Sequence, residues 1–213
     1  MRGSNEYRLF YSQFRQHFHT TGAIAPSSLA LARAITAPLA VAHTGNLRVL
    51  EVGAGTGAFT RAILRHLGSG DHLDLFELNP AFKNCLEKRP AEANALQRGI
   101  SVCVHVSDVR ALPPADRYDF IVSGLPLNNF APAEVEAFLH LFMSHLRPGG
   151  TLSYFEYLYL RDLKRHLVQD AAERRRLDEV KNVVDRFLSR HHAIATPVPL
   201  NLPPAVVRHI RVD

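Results

Sequence analysis

Alternation of short apolar strands with amphipathic helices predicts an α/β protein, its mostly parallel sheet covered on both faces by helices. Three observations carry that prediction. Strand-like runs rich in β-branched and aromatic residues recur at 46–52 (NLRVLEV), 72–78 (HLDLFEL), 99–106 (GISVCVHV) and 118–124 (YDFIVSG). Helix-length amphipathic segments follow or separate them at 57–68, 80–89 and 132–146. The first strand runs directly into a glycine turn, GAGTG at 53–57, of the kind that opens a helix in parallel-sheet proteins.

In chain order, residues 1–45 precede the first strand and read as a helical extension. EYRLFYSQFRQHFH (6–19) sets Tyr7, Phe10, Tyr11, Phe14 and Phe18 at helical spacing, five aromatics in twelve residues where the chain average of 8% predicts about one. After TTGAIAPSS, Ser27 or Ser28 caps a second helix expected over about 28–42. The domain proper is expected over 46–213. Its strands are expected to be buried; RPGG (147–150) stops the third helix, and TLSYFEYL (151–158) supplies a fifth strand. Residues 161–190 read as a charged helical insertion with nine Lys/Arg and six Asp/Glu, expected to present a solvated face. The tail ATPVPLNLPPAVVRHIRVD reads as a loop and one or two last strands.

The 213 residues suit one domain with a small extension, and no repeat divides them. No run of 18 apolar residues occurs and the start lacks an apolar signal core, so a cytoplasmic location is expected. The net charge of +5 favours an anionic partner, nucleic acid or an acidic membrane surface. Cys85 and Cys103 are too few for a disulfide framework and lack metal-ligand spacing, so buried thiols and no metal are expected.

VLEVGAGTGAFT (49–60) is the sharpest signal. Gly53, Ala54, Gly55 and Gly57 form a tight turn that lets a ligand lie against backbone. GAGTGA also satisfies the dinucleotide pattern, so the neighbours must decide. Glu51, just before the turn, would hinder a pyrophosphate but suits the ammonium of a methionine moiety. Glu77 and Leu78, ending the second strand, are placed for a ribose. Asp108 and Val109, in VSDV after the third, are placed for an adenine amino group. Together with Ser123 they lie at the carboxyl edge of the sheet, where such folds bind ligands.

Over roughly 46–160 this set resembles the class I S-adenosylmethionine-dependent methyltransferases. The resemblance implies a Rossmann-like, mostly parallel seven-stranded sheet, with S-adenosylmethionine as cofactor and S-adenosylhomocysteine as product. IVSGLPLNNF (121–130) falls where nucleobase amino-methylating relatives carry an Asn or Asp, then Pro and an aromatic. Here Gly124 has no side chain to accept a hydrogen bond and Leu127 cannot stack as an aromatic does. Phe130 with Asn128 or Asn129 remain as substitutes from a shifted register. A nonplanar amine fits this loop better than a base.

GAIAPSS (22–28), SGLP (123–126) and LNLPPAVV (200–207) extend the resemblance, from about 9 to 210, to the bacterial phospholipid N-methyltransferases. That implies stepwise methylation of the amine of phosphatidylethanolamine, with an ornithine-lipid N-methyltransferase and an rRNA adenine N6-dimethyltransferase as alternatives. A third alternative is a membrane-associated cofactor-binding module without turnover. Nucleic acid is not the expected partner. The aromatic N-terminal helix is expected to lie on an anionic membrane, on the inner face, or to pack as a lid. Arg174, Arg175 and Arg176 are the best-placed membrane contact of the charged segment. For catalysis, Tyr157, Tyr159 and Tyr11 are the candidates, with Glu156 beside them as a proton relay. Ser27, Ser28, Arg33, Gly124, Leu125 and Pro126 are candidates for substrate binding.

Overall fold

The computed structural model describes residues 28–42, 45–115, 117–158 and 171–213. The expected contributions of Tyr11, Ser27 and Tyr159, of the aromatic run 7–18, and of 161–170 lie outside those residues.

The chain builds a seven-stranded, mostly parallel sheet of order β3-β2-β1-β4-β5-β7-β6, as expected. Its elements are α1 (Leu29–Ile35), α2 (Ala37–Ala40), β1 (Arg48–Val52), α3 (Ala58–His66), β2 (His72–Phe76), α4 (Lys83–Glu92), β3 (Ser101–His105), β4 (Tyr118–Ser123), α5 (Pro132–His145), β5 (Leu146–Tyr157), α6 (Ala171–Leu188), β6 (Ala193–Val198) and β7 (Ala205–Arg211). Strands β1 to β5 run parallel, and β7 pairs antiparallel with both β5 and β6.

Alternation sends the two sides of each central strand into two cores. Leu50 and Val52 join Tyr118, Phe138, Phe142 and the buried stripe of α6 on one face. Val49 joins Leu31, Ile35, Phe59, Ile63 and Phe155 on the other. The charged segment, over its described part, is therefore an amphipathic helix: Leu177, Val180, Val183, Val184 and Phe187 are buried at helical spacing beneath its charges.

Several boundaries differ from expectation for local reasons. The second helix breaks at Thr36, whose hydroxyl donates to the Ala32 carbonyl before Pro38 restarts a short turn. Strand β5 begins at Leu146 rather than 151, because Leu146 already pairs with Tyr118 across the irregularity that RPGG introduces. The 80–89 helix opens as a 3-10 turn over Pro80–Phe82, and α4 buries only Leu86. Strand β3 is the sheet edge, and none of its five residues is buried. Cys103 is accordingly exposed and Cys85 half-buried, not the buried thiols expected.

Candidate functional site

The glycine turn begins where β1 ends. Gly53, Gly55 and Gly57 all take positive φ, 71°, 57° and 81°, a region that other residues enter at a cost. The turn is sewn to β2: the Gly53 N–H donates to the Phe76 carbonyl at 2.8 Å. Glu77 completes the seam. One of its carboxylate oxygens accepts from the Gly55 N–H and the other from the Asn79 N–H, both at 2.8 Å, and the residue is buried.

Glu51 lies beneath the turn and is fully buried. The hydroxyl of Thr60, in the first turn of α3, donates to its Oε2 at 2.7 Å. Its Oε1 has no hydrogen-bond partner among the described residues. Burial pushes its pKa up to about 8, against the opposing hydrogen bonds from Thr60. A buried carboxyl with one oxygen unmatched can receive a donor from a ligand.

Opposite the turn stands the loop after β4. The Gly124 N–H donates to the Val52 carbonyl at 2.8 Å. A Cβ on Gly124 would lie 2.8 Å from the Gly53 carbonyl oxygen, and one on Gly53 would lie 2.9 Å from Leu125 Cδ2. The two glycines thus face each other at backbone contact. Ser123 is buried, its hydroxyl accepting from the Leu125 N–H at 3.3 Å. Beyond Pro126, Leu127 and Phe130 enter the core, Phe130 packing edge-on against Phe138 at 5.3 Å. The shifted register is therefore overturned: the one aromatic of the loop is core, because Phe138 gives its ring an apolar seat. Arg176 fixes this loop from α6, donating to the carbonyls of Phe130 at 2.7 Å and Asn128 at 3.0 Å. Its side chain is turned inward to the loop and to Glu173 rather than outward as a membrane contact.

Asp108 caps the 3-10 turn Val109–Ala111. Burial would raise its pKa, but hydrogen bonds and charge from Arg110 outweigh that and hold it low. Both its oxygens engage Arg110, so the expected adenine acceptor is presently occupied. A void of about 20 Å³ lies among Gly53, Phe76, Leu78, Asp108, Val109 and Leu125, room for about one water.

Tyr157 stands at the carboxyl end of β5, its ring edge-on to Phe155 at 5.1 Å, which meets Phe59 at 5.9 Å. Burial raises its pKa, so the phenol keeps its proton. Glu156 points elsewhere, toward Arg208 at 3.4 Å. Ser28 caps α1, accepting from the Leu31 N–H at 3.1 Å, and its own N–H donates to Asn201 Oδ1. Arg33 is exposed on the same short helix. The structure brings Glu51, Ala54, the glycines, Glu77, Leu78, Asp108, Val109 and Ser123 to Pro126 to one sheet edge, and sets Ser28 and Arg33 apart on α1.

Arg89 escaped the sequence reading, and Arg176 was read there only as a membrane contact, not as a partner of the loop. Arg89 of α4 lies over the turn, its Nε and Nη2 donating to the Thr56 carbonyl at 3.1 and 3.0 Å. A Cβ on Gly57 would strike its Cγ at 2.8 Å. Arg176 reaches its loop across 46 residues of sequence. Neither contact has a local signature.

Residues 49–150 match the family model of a methyltransferase domain. An ornithine lipid N-methyltransferase of Singulisphaera acidiphila is 28% identical over 206 residues, 94% of this chain and 93% of that protein. Among solved structures, an O-methyltransferase from Bacillus cereus in complex with S-adenosylhomocysteine superposes with a TM-score of 0.64 at 14% identity, covering 95% of this chain and 90% of that one. The N-methyltransferase NodS from Bradyrhizobium japonicum, also with S-adenosylhomocysteine, gives a TM-score of 0.57 at 17% identity, covering 87% and 88%.

Proposed function

We propose that this chain, an S-adenosylmethionine-dependent methyltransferase of class I fold, methylates the amine head group of a membrane lipid, an ornithine lipid before phosphatidylethanolamine. The observation that carries the reading is its likeness, over nearly the full length of both chains, to an ornithine lipid N-methyltransferase. The same likeness ranks the ornithine head group above the phosphatidylethanolamine to which the sequence motifs first point.

The loop supports an amine over a base. Gly124 is held against Gly53 by backbone contact, which leaves no room for the Asn or Asp that would grip a planar amino group. Leu127 and Phe130 are buried and offer no stacking face. Both features count against adenine methylation of RNA.

When bound, S-adenosylmethionine supplies a methyl group already activated on a sulfonium. Glu51 would receive the cofactor's ammonium, ionising as it does so, and Glu77 its ribose hydroxyls. The acceptor must present a neutral nitrogen. A primary alkylammonium of lysine type loses its proton at pH 7 at a cost of about 4 to 5 kcal/mol. Tyr157, whose phenol stays protonated, is no general base; its oxygen accepts from the substrate N–H and its ring faces the methylated cation. Positioning then supplies most of the acceleration.

Membrane access has its own support. Leu29, Leu200 and Leu202 are 67%, 86% and 73% exposed, and the Ser28–Asn201 hydrogen bond sets the 200–202 turn beside the start of α1. Large apolar side chains gathered on one surface suit a bilayer interface. No helix among the described residues is long and apolar enough to cross a membrane. The test is expression in a host that makes ornithine lipids and phosphatidylethanolamine but methylates neither, followed by mass analysis of the lipid extract. Ornithine lipids heavier by one or more methylene masses support the proposal. Unchanged amine lipids, from a host in which the purified protein binds cofactor, oppose it.

A further inference from the structure

We propose that His72, Asp74 and Cys103 form a binding site for a zinc-class divalent metal on the open edge of the sheet, separate from methyl transfer. The parallel register sets Asp74 of β2 directly against Cys103 of β3. His72 lies two residues before Asp74, so alternation puts its side chain on the same face. One donor atom from each of the three lies within 4.8 Å of the others, and His72 Nε2 is 3.0 Å from Asp74 Oδ2.

Tetrahedral zinc, with bonds of about 2.0 to 2.3 Å, holds its ligands roughly 3.3 to 3.8 Å apart. Small side-chain rotations of an exposed Cys103 and a half-buried His72 reach that geometry without moving backbone. The carboxylate is also braced as metal-bound carboxylates are: His105 Nε2 sits 2.8 Å from Oδ1 and the Tyr118 hydroxyl donates to Oδ2 at 3.0 Å. Thiolate, imidazole and carboxylate together select zinc or cobalt over magnesium or calcium. Three protein ligands leave the fourth position to water. Arg48, 3.5 Å from Oδ2, competes for that oxygen and lowers the affinity. On metal binding the Cys103 thiol proton passes to solvent, as does any proton on His72 Nε2.

The spacing of the two cysteines along the chain gave no sign of this, because the third ligand comes from a neighbouring strand. The site is also independent of the proposed substrate. Asp74 lies on β2 three residues before Glu77, which follows the strand, a separation of roughly 10 Å.

The test is titration of the reduced, full-length protein with Co²⁺, read by the near-ultraviolet thiolate-to-cobalt charge-transfer band. One equivalent is expected to raise the band, Zn²⁺ to abolish it, and Cys103→Ser to prevent it while Cys85→Ser leaves it intact. His72→Ala is expected to weaken binding by at least about 10-fold, and His105→Ala, which removes a brace, by about 10-fold. No band in the wild type, or a band surviving Cys103→Ser, overturns the proposal. Cys103 is exposed, so its serine variant keeps the fold, and circular dichroism checks that the variant is compared as a folded protein.

Discussion

Replacing Glu51 by glutamine isolates the buried carboxyl beneath the glycine turn. The folded-state pKa of about 8 stands against an ordinary value of 4.5. Below pH 4.5 the carboxyl is protonated in both the folded and unfolded chain and contributes no pH dependence. Between 4.5 and 8 the unfolded chain releases the proton that the folded one retains, so stability falls with rising pH by up to about 1.4 kcal/mol per unit. Above 8 both forms are ionised and the slope vanishes. Summed over that window, the loss is of order 4 to 5 kcal/mol. Glutamine preserves the acceptor for the Thr60 hydroxyl and has no proton to lose. Urea denaturation of the cofactor-free protein from pH 5 to 9 is expected to show this decline in the wild type and its disappearance in Glu51→Gln. Cofactor binding supplies the counterpart: a ligand ammonium that draws out the carboxylate makes affinity rise toward pH 8 in the wild type and stay flat in the variant. Parallel stability profiles for the two proteins would refute the assignment of Glu51 as a buried, proton-holding receptor.

Three further substitutions probe the rest of the edge. Gly124→Asn forces a Cβ to 2.8 Å from the Gly53 carbonyl oxygen; a loss of about 1 to 3 kcal/mol in urea denaturation is expected, with weakened cofactor binding, and unchanged stability together with unchanged affinity would contradict the face-to-face packing. Glu77→Ala strands the Gly55 and Asn79 N–H groups, each costing about 1 to 3 kcal/mol, and calorimetry is expected to find no cofactor binding; retained affinity would mean that the ribose is held elsewhere. Arg176→Ala frees the carbonyls of Asn128 and Phe130, and a destabilisation of about 1 to 2 kcal/mol is expected after allowing for partial exposure. Slower turnover with unchanged cofactor affinity is the kinetic sign that this arginine holds the acceptor loop.

Much of the fold was legible because its determinants are local. Strands β1, β2 and β4 announce themselves as short apolar runs, and the turn at 53–57 as glycines whose φ values other residues avoid. The carboxylates at 51, 77 and 108 were legible as a group because each lies at or just beyond the end of a strand, and strand ends share one edge. What escaped depends on contacts distant in sequence. GISVCVHV reads as buried, yet its position at the sheet edge leaves it open, a matter of strand order rather than composition. Gly124 reads as a lost side chain; the structure explains it as a required absence, since Gly53 occupies the space. Arg176 reads as part of a solvated basic run, and only the packing of α6 under the loop gives it partners. Asp108 was placed correctly at its strand end, but its engagement by Arg110 two residues later was not foreseen.

The most direct measurement uses purified protein, S-adenosylmethionine labelled in its methyl group, and vesicles of anionic lipid doped with either ornithine lipid or phosphatidylethanolamine. The account predicts label in the lipid fraction, greater with ornithine lipid, and chromatographing as N-methylated head group. Label in neither lipid, or in adenine of added ribosomal RNA instead, contradicts it.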